Sequence, residues 1–327
     1  MEVSRGEARE MTRPILCTAV SMVIASTCAM ADEGGVSFWL PGQFGSLAAV
    51  PTEPGWSLGS VYYHTNADAG AGKSFPRGGR ITVGMDATAD LVFLAPSYVF
   101  KDPVMGGQAA LSVIGAFGRV SVDIEATLTG PLGGVLSGGQ GDSLTAVGDL
   151  YPLGTLKWNS GVHNYMAYTM WGVPVGSYSA GRLANIGTNH WSADAGGGYT
   201  YLDPKKGREF SAVLGVTYNF ENSATNYRNG VDGHLDWAAS QFFSEHVHAG
   251  LVGYFYRQVT GDSGSGATLG DFKSRVSAIG PQLGYFFPMG GKKWYLNLKG
   301  YYEFDAENRP EGWNVWVTLS IPLSEKR

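Results

Sequence analysis

Close to the end of the chain, Trp313, Val315, Val317, Leu319, Ile321 and Leu323 fall on one phase and Asn314, Trp316, Thr318, Ser320 and Pro322 on the other. A period of two puts each set on one face of an extended strand; a helix would scatter both around its axis. The preceding segment repeats the arrangement, with Trp294, Leu296, Leu298, Gly300, Tyr302 and Phe304 against Tyr295, Asn297, Lys299, Tyr301 and Glu303. Further upstream, Phe210, Ala212, Leu214, Val216, Tyr218 and Phe220 oppose Ser211, Val213, Gly215, Thr217 and Asn219. Two earlier runs alternate as well: Met85, Ala87, Ala89, Leu91 and Phe93 against Asp86, Thr88 and Asp90, and Ile114, Ala116, Val120 and Val122 against Phe117, Arg119, Ser121 and Asp123.

This periodicity predicts strands over 56–66, 80–100, 109–128, 143–158, 161–174, 190–202, 209–220, 231–243, 247–260, 272–287, 292–304 and 312–323. The segments 162–173 and 273–287 have mixed faces. Between the strands, long connectors (66–79, 129–142, 175–189, 221–230, 261–271) take turns with short ones (159–160, 203–208, 288–291). One rim is therefore expected to carry the long loops, as in outer-membrane barrels with short periplasmic turns.

Strands in soluble proteins usually run about five or six residues, and many here are about twice that. Their length suits a lipid-facing band with aromatic girdles. Beyond residue 31, no uninterrupted apolar stretch reaches the roughly 18 to 20 residues that a membrane helix needs. Hydrocarbon offers backbone amides no partners, so a spanning chain without such helices has to close its sheet. The expected fold is all-β, a transmembrane antiparallel β-barrel of about twelve strands. A secreted sandwich or propeller would also alternate, and strand length is the argument against it.

The first residues read as an export signal: Met11-Thr-Arg13 is a short basic start, Ile15 to Ala25 an apolar run, and Ala29-Met30-Ala31 a cleavage site. The acidic residues Glu2, Glu7 and Glu10 do not suit a signal's front end, which makes Met11 the expected start. Both cysteines, Cys17 and Cys28, lie in this removable piece, so no disulfide is expected in the rest. The chain then divides into a signal (1–31), a plug-like segment (32–55) and the barrel (56–327). The middle segment has no strand period yet carries Phe38, Trp39, Leu40, Pro41, Gly42 and Phe44, too apolar a set for a solvated tail. The lumen is its expected place, and a clasp under the periplasmic rim is the alternative.

Composition agrees with many strands joined by glycine-rich turns: 48 glycines, 13% aromatic and only 16% charged residues. A net charge of −5 leaves no basic surface for nucleic acid.

Candidate chemistry lies on the inward phases. Tyr254, Tyr256 and Gln258 share a face with His248, and Tyr295, Tyr301 and Trp316 are inward by the same alternation. Phenol and indole rings offer flat apolar contact with a polar handle, which suits transient binding of aromatic solutes as well as simple filling. Asp232, His234 and Asp236 also share a strand face, so a rim hydrolase or protease using His234 with Asp232 or Asp236 is a competing reading, and a structural barrel is a third. Glu245, His246 and His248 lie together in sequence, but two imidazoles are too few for a zinc site. The sequence has no nucleophile elbow or phosphate-binding loop, and residues 261–266 fail the EF-hand spacing. No cofactor or metal is expected.

Several segments resemble a known family. They are Asn222-Ser-Ala-Thr-Asn-Tyr-Arg-Asn-Gly230, Gly233-His-Leu-Asp-Trp237, Gly253 to Asp262, Lys273 to Pro281, Gly176-Ser-Tyr178, Asn308-Arg-Pro-Glu-Gly312, the opening Phe38-Trp-Leu-Pro-Gly42, and residues 51–55. They are similar to the outer-membrane proteins grouped under the MetA-pathway of phenol degradation. The resemblance implies passive uptake of aromatic or other hydrophobic small molecules, in a design related to the long-chain fatty-acid and toluene channels. It also implies outer-membrane lipid and the outer-membrane assembly machinery as partners. The chain departs from such barrels at its end, Leu323-Ser-Glu-Lys-Arg327, where an aromatic residue is usual.

Overall fold

The computed structural model describes residues 38–68, 74–77, 80–129, 135–267 and 273–324. The expected signal, both cysteines and the first residues of the plug-like segment lie outside these. In chain order the strands are β1 (Gly55–Asp68), β2 (Ser74–Arg77), β3 (Arg80–Val83), β4 (Met85–Val99), β5 (Gln108–Thr129), β6 (Val135–Ser160) and β7 (His163–Gly172). They continue with β8 (Ser192–Asp203), β9 (Arg208–Asn219), β10 (Asp232–Phe242), β11 (Val247–Gln258), β12 (Arg275–Met289), β13 (Lys292–Glu307) and β14 (Glu311–Pro322). Twelve of them form a closed antiparallel barrel, in which β1 pairs with both β4 and β14; β2 and β3 make a hairpin of their own. Closure removes the unpaired edge that an open sheet would present to lipid.

All twelve expected strands are present, including the two with mixed faces, which form β7 and β12. Two boundaries differ. The run expected over 80–100 breaks at Gly84, whose φ of 60° turns the chain, and its first four residues pair back with β2. The expected loop 129–142 is largely strand: β5 and β6 stay paired out to Thr129 opposite Val135. A ladder already running supplies hydrogen bonds to a glycine-rich stretch that has little strand preference of its own.

The faces are sorted inside out. On β9, Phe210, Leu214, Val216 and Tyr218 are exposed, while Ser211, Thr217 and Asn219 are buried. On β4 and β5 the arrangement reverses over the halves remote from the chain ends: Met85, Ala87, Leu91, Val120 and Val122 are buried, and Asp86, Asp90, Arg119 and Asp123 are exposed. The reason is length. The 22 residues of β5 span roughly 70 Å at about 3.4 Å each, against a lipid band about 25 Å tall, so their far halves stand in water. Nearer the chain ends the outward positions Val92, Leu94, Leu111 and Val113 are apolar again.

Short connectors (residues 161–162, 204–207, 243–246 and 290–291) lie at the end where β1 begins and β14 finishes. The longer 173–191, 220–231 and 259–274 lie at the other.

Candidate functional site

Residues 38–50 run among inward-facing side chains, and Phe38, Trp39, Leu40 and Phe44 belong to one apolar cluster with the wall residues. Pro41 precedes a turn at Gly42, which has φ of +88°. A Cβ at Gly42 would lie 3.0 Å from ring atoms of both Tyr254 and Tyr301, so the position requires glycine for conformation and for space.

Two charged side chains from strands three apart in the wall grip this turn. The amides of Gly42 and Phe44 donate to Asp236 Oδ1 and Oδ2 at 2.9 and 3.0 Å. Lys299 Nζ donates to the carbonyls of Gly42, Gln43 and Phe44 at 2.5, 3.2 and 3.4 Å, and the Tyr301 hydroxyl donates to Gly42 O at 3.1 Å. Buried charge is costly unless hydrogen-bonded, and here backbone dipoles satisfy both signs.

A second anchor follows. Glu209 accepts from Leu47 N at 2.9 Å and from the Ser46 hydroxyl at 2.5 Å, and Gln282 Nε2 donates to Ser46 Oγ at 2.7 Å. Ala49 N donates to Thr200 Oγ1 at 3.0 Å, and Lys157 Nζ to Val50 O at 3.2 Å. Thr52 and Gln108 then exchange two hydrogen bonds of 2.7 and 2.6 Å.

Before the turn, the Trp39 indole lies flat on the His234 imidazole, with ring centroids 3.5 Å apart and planes 18° from parallel. His234 Nε2 is 2.8 Å from Asp194 Oδ2, which also accepts from Thr217 Oγ1 at 2.5 Å. Contrary to the expected acid–base pairing, the carboxylate on His234 is Asp194 of β8, not Asp232 or Asp236. Asp236 holds the N-terminal segment instead, and Asp232 accepts from Asn219 Nδ2 at 2.9 Å. Residues two apart on a strand are separated by about 7 Å, whereas Gly215 on the intervening β9 leaves room for the imidazole to reach β8.

The group Glu245, His246 and His248 does not assemble. His248 is buried, 3.0 Å from the Tyr295 hydroxyl and stacked against Phe242, while Glu245 and His246 are exposed in the turn.

The other inward positions are buried and polar-paired. Tyr254 donates to Glu303 Oε1 at 2.6 Å and accepts from Asn314 Nδ2, whose Oδ1 takes the Trp316 Nε1 hydrogen at 2.9 Å. Tyr256 lies under the Arg309 guanidinium, 5.7 Å from its ring centroid, and Gln258 Nε2 donates to Asp262 Oδ1 at 2.6 Å. Sequence reasoning missed Asp194, Glu209 and Lys157. Each is a charged residue buried on the inward side of its strand.

A family model described as "Putative MetA-pathway of phenol degradation" matches residues 70–319. Among solved structures, the COG4313 outer membrane channel from Pseudomonas putida F1 is similar with 17% identity and a TM-score of 0.66, over 83% of this chain and 96% of that one. The beta domain of the Bordetella autotransporter Brka aligns with 9% identity and a TM-score of 0.47, over 83% and 100%. No curated protein sequence matches significantly. With the family model spanning most of the chain and the fold that of an outer-membrane channel, this protein belongs to the MetA-pathway of phenol degradation family.

Proposed function

We propose that the protein is a passive outer-membrane channel for small hydrophobic or aromatic compounds, with residues 38–50 as its plug. The observation that carries this reading is the mode of attachment. The segment fills the barrel without joining the wall as a strand, and side chains, not a ladder, hold it. Such a filling narrows the passage to small solutes, which move past it along aromatic faces without spent energy.

Tyr254, Tyr256, Gln258, His248, Tyr295, Tyr301 and Trp316 are the residues we assign to the path. Their rings offer dispersion contact, and hydroxyl and amide heads soften the entry of a phenolic group. Support also comes from the Pseudomonas putida neighbour, itself an outer membrane channel. The protein acts in the bacterial outer membrane, with its long loops outside and the start of β1 and the end of β14 on the periplasmic side. It works without cofactor or metal, and its partners are the solutes, outer-membrane lipid and the assembly machinery. The hydrolase reading has less support, since His234 is covered by Trp39.

The test is uptake into liposomes of a panel of phenols, short aromatics and fatty acids. Entry of phenols and short aromatics above that of empty liposomes is expected. Fluxes equal to those of empty liposomes for the whole panel would end the proposal.

A further inference from the structure

The place that Trp39 occupies has the construction of a binding site. Gly196 on β8 and Gly215 on β9 are direct neighbours, and together they clear the wall. A Cβ at Gly215 would fall 2.1 Å from the Tyr168 hydroxyl and 2.5 Å from His234 Cε1; one at Gly196 would fall 2.7 Å from Tyr168 Cε1. Two rings thus lie over the floor where side chains of β8 and β9 would otherwise stand. Asp194 fixes the imidazole, and Thr217 fixes Asp194. Trp39 covers the imidazole face, with Tyr168 5.9 Å and Phe44 5.8 Å away between ring centroids.

Three buried polar atoms around this floor, Tyr168 Oη, Asp194 Oδ1 and His234 Nδ1, have no hydrogen-bond partner among the described residues. His234 is itself buried. In the neutral ring with Nε2–H donating to Asp194, Nδ1 is an acceptor, and a buried acceptor left unsatisfied is costly. Trp39 also precedes the grip at Gly42, so its ring can leave while the bonds to Asp236, Lys299 and Glu209 stay intact.

We infer that the His234–Tyr168 floor is a binding subsite for a planar aromatic compound carrying one hydroxyl or N–H donor, and that Trp39 fills it when no solute is present. This inference rests on the channel reading and supplies its selectivity step. A phenol is smaller than the indole it replaces and has room to tilt its hydroxyl toward Nδ1. Toluene stacks equally well but leaves Nδ1 unsatisfied. Selection by a buried acceptor of this kind discriminates against analogues lacking the donor.

The experiment measures equilibrium binding of phenol, indole and toluene to the purified full chain in detergent, by calorimetry, with Trp39→Ala, Phe93→Ala and Trp39→Ala/His234→Phe variants. Trp39→Ala changes only the segment and leaves the wall intact. It is expected to bind phenol and indole saturably, and roughly tenfold more tightly than toluene. Phe93→Ala opens an apolar cavity elsewhere in the wall and is expected to show no such preference. His234→Phe keeps a ring face and removes the acceptor, so in the Trp39→Ala background the preference should vanish. Equal affinity of Trp39→Ala for toluene and phenol, no saturable binding, the same preference in Phe93→Ala, or a preference that survives His234→Phe each overturns the inference. If the double variant does not fold, the first two variants still decide. Liposome uptake separates this result from the channel reading. Selective binding without flux removes the channel and leaves the subsite, and phenol flux without selective binding does the reverse.

Discussion

Asp236 and Lys299 hold one turn of chain between them: the carboxylate takes the amide hydrogens of Gly42 and Phe44, and the ammonium donates to the carbonyls of Gly42, Gln43 and Phe44. They stand on β10 and β13, three strands apart around the wall in the order β10, β11, β12, β13. The N-terminal segment therefore supplies backbone partners to two buried charges that the empty barrel would leave without them.

Removing Lys299 leaves the carbonyls of the turn without their charged donor. Lys299→Met is expected to destabilise the folded protein by about 1.5–3 kcal/mol, the range for losing hydrogen bonds made by a charged group. The double variant Asp236→Asn/Lys299→Met should cost less than the sum of the singles. Urea unfolding of the four proteins in vesicles measures this, and strictly additive losses would show that the two groups act independently.

Gly42→Ala puts a Cβ against Tyr254 and Tyr301 at a positive φ. The conformational part alone costs about 1–2 kcal/mol. The damage should be confined to the segment, so limited proteolysis is expected to cut residues 38–50 faster while the barrel's unfolding midpoint hardly moves. An equal loss of midpoint and protection would mean that segment and wall unfold as one unit.

The outward face of β5 crosses from lipid to water between Val113 and Asp123. Val113→Arg is expected to cost about 2–4 kcal/mol in a bilayer. Asp123→Leu should stay within about 0.5 kcal/mol, since that position is already in solvent. Folding stability in vesicles tests both. A large effect at Asp123 would shift the lipid boundary outward along the hairpin.

These boundaries show where sequence pattern suffices. On β9, β13 and β14 the polar and apolar phases never exchange roles, so alternation alone assigned the lipid face and turned Tyr301 and Trp316 inward. On β4 and β5 the same alternation changes meaning partway, because the apolar phase faces the interior once the outward face leaves lipid. Periodicity carries no information about depth in the membrane. The site was less legible. Asp194 lies on a glycine-rich strand, Asp194-Ala-Gly-Gly-Gly198, with no apolar phase to set against it. Its bond to His234 spans an intervening strand and depends on the missing side chain of Gly215. A period-two count sees neighbours along one strand, and it therefore grouped His234 with Asp232 and Asp236.

Phenol entry into vesicles, followed for the native chain, for a chain lacking residues 38–50 and for empty vesicles, tests the central claim most directly. The account predicts entry above empty vesicles for the native protein and several-fold faster entry once the segment is gone. Entry at the empty-vesicle rate for both proteins, with the barrels shown to be folded, would contradict it.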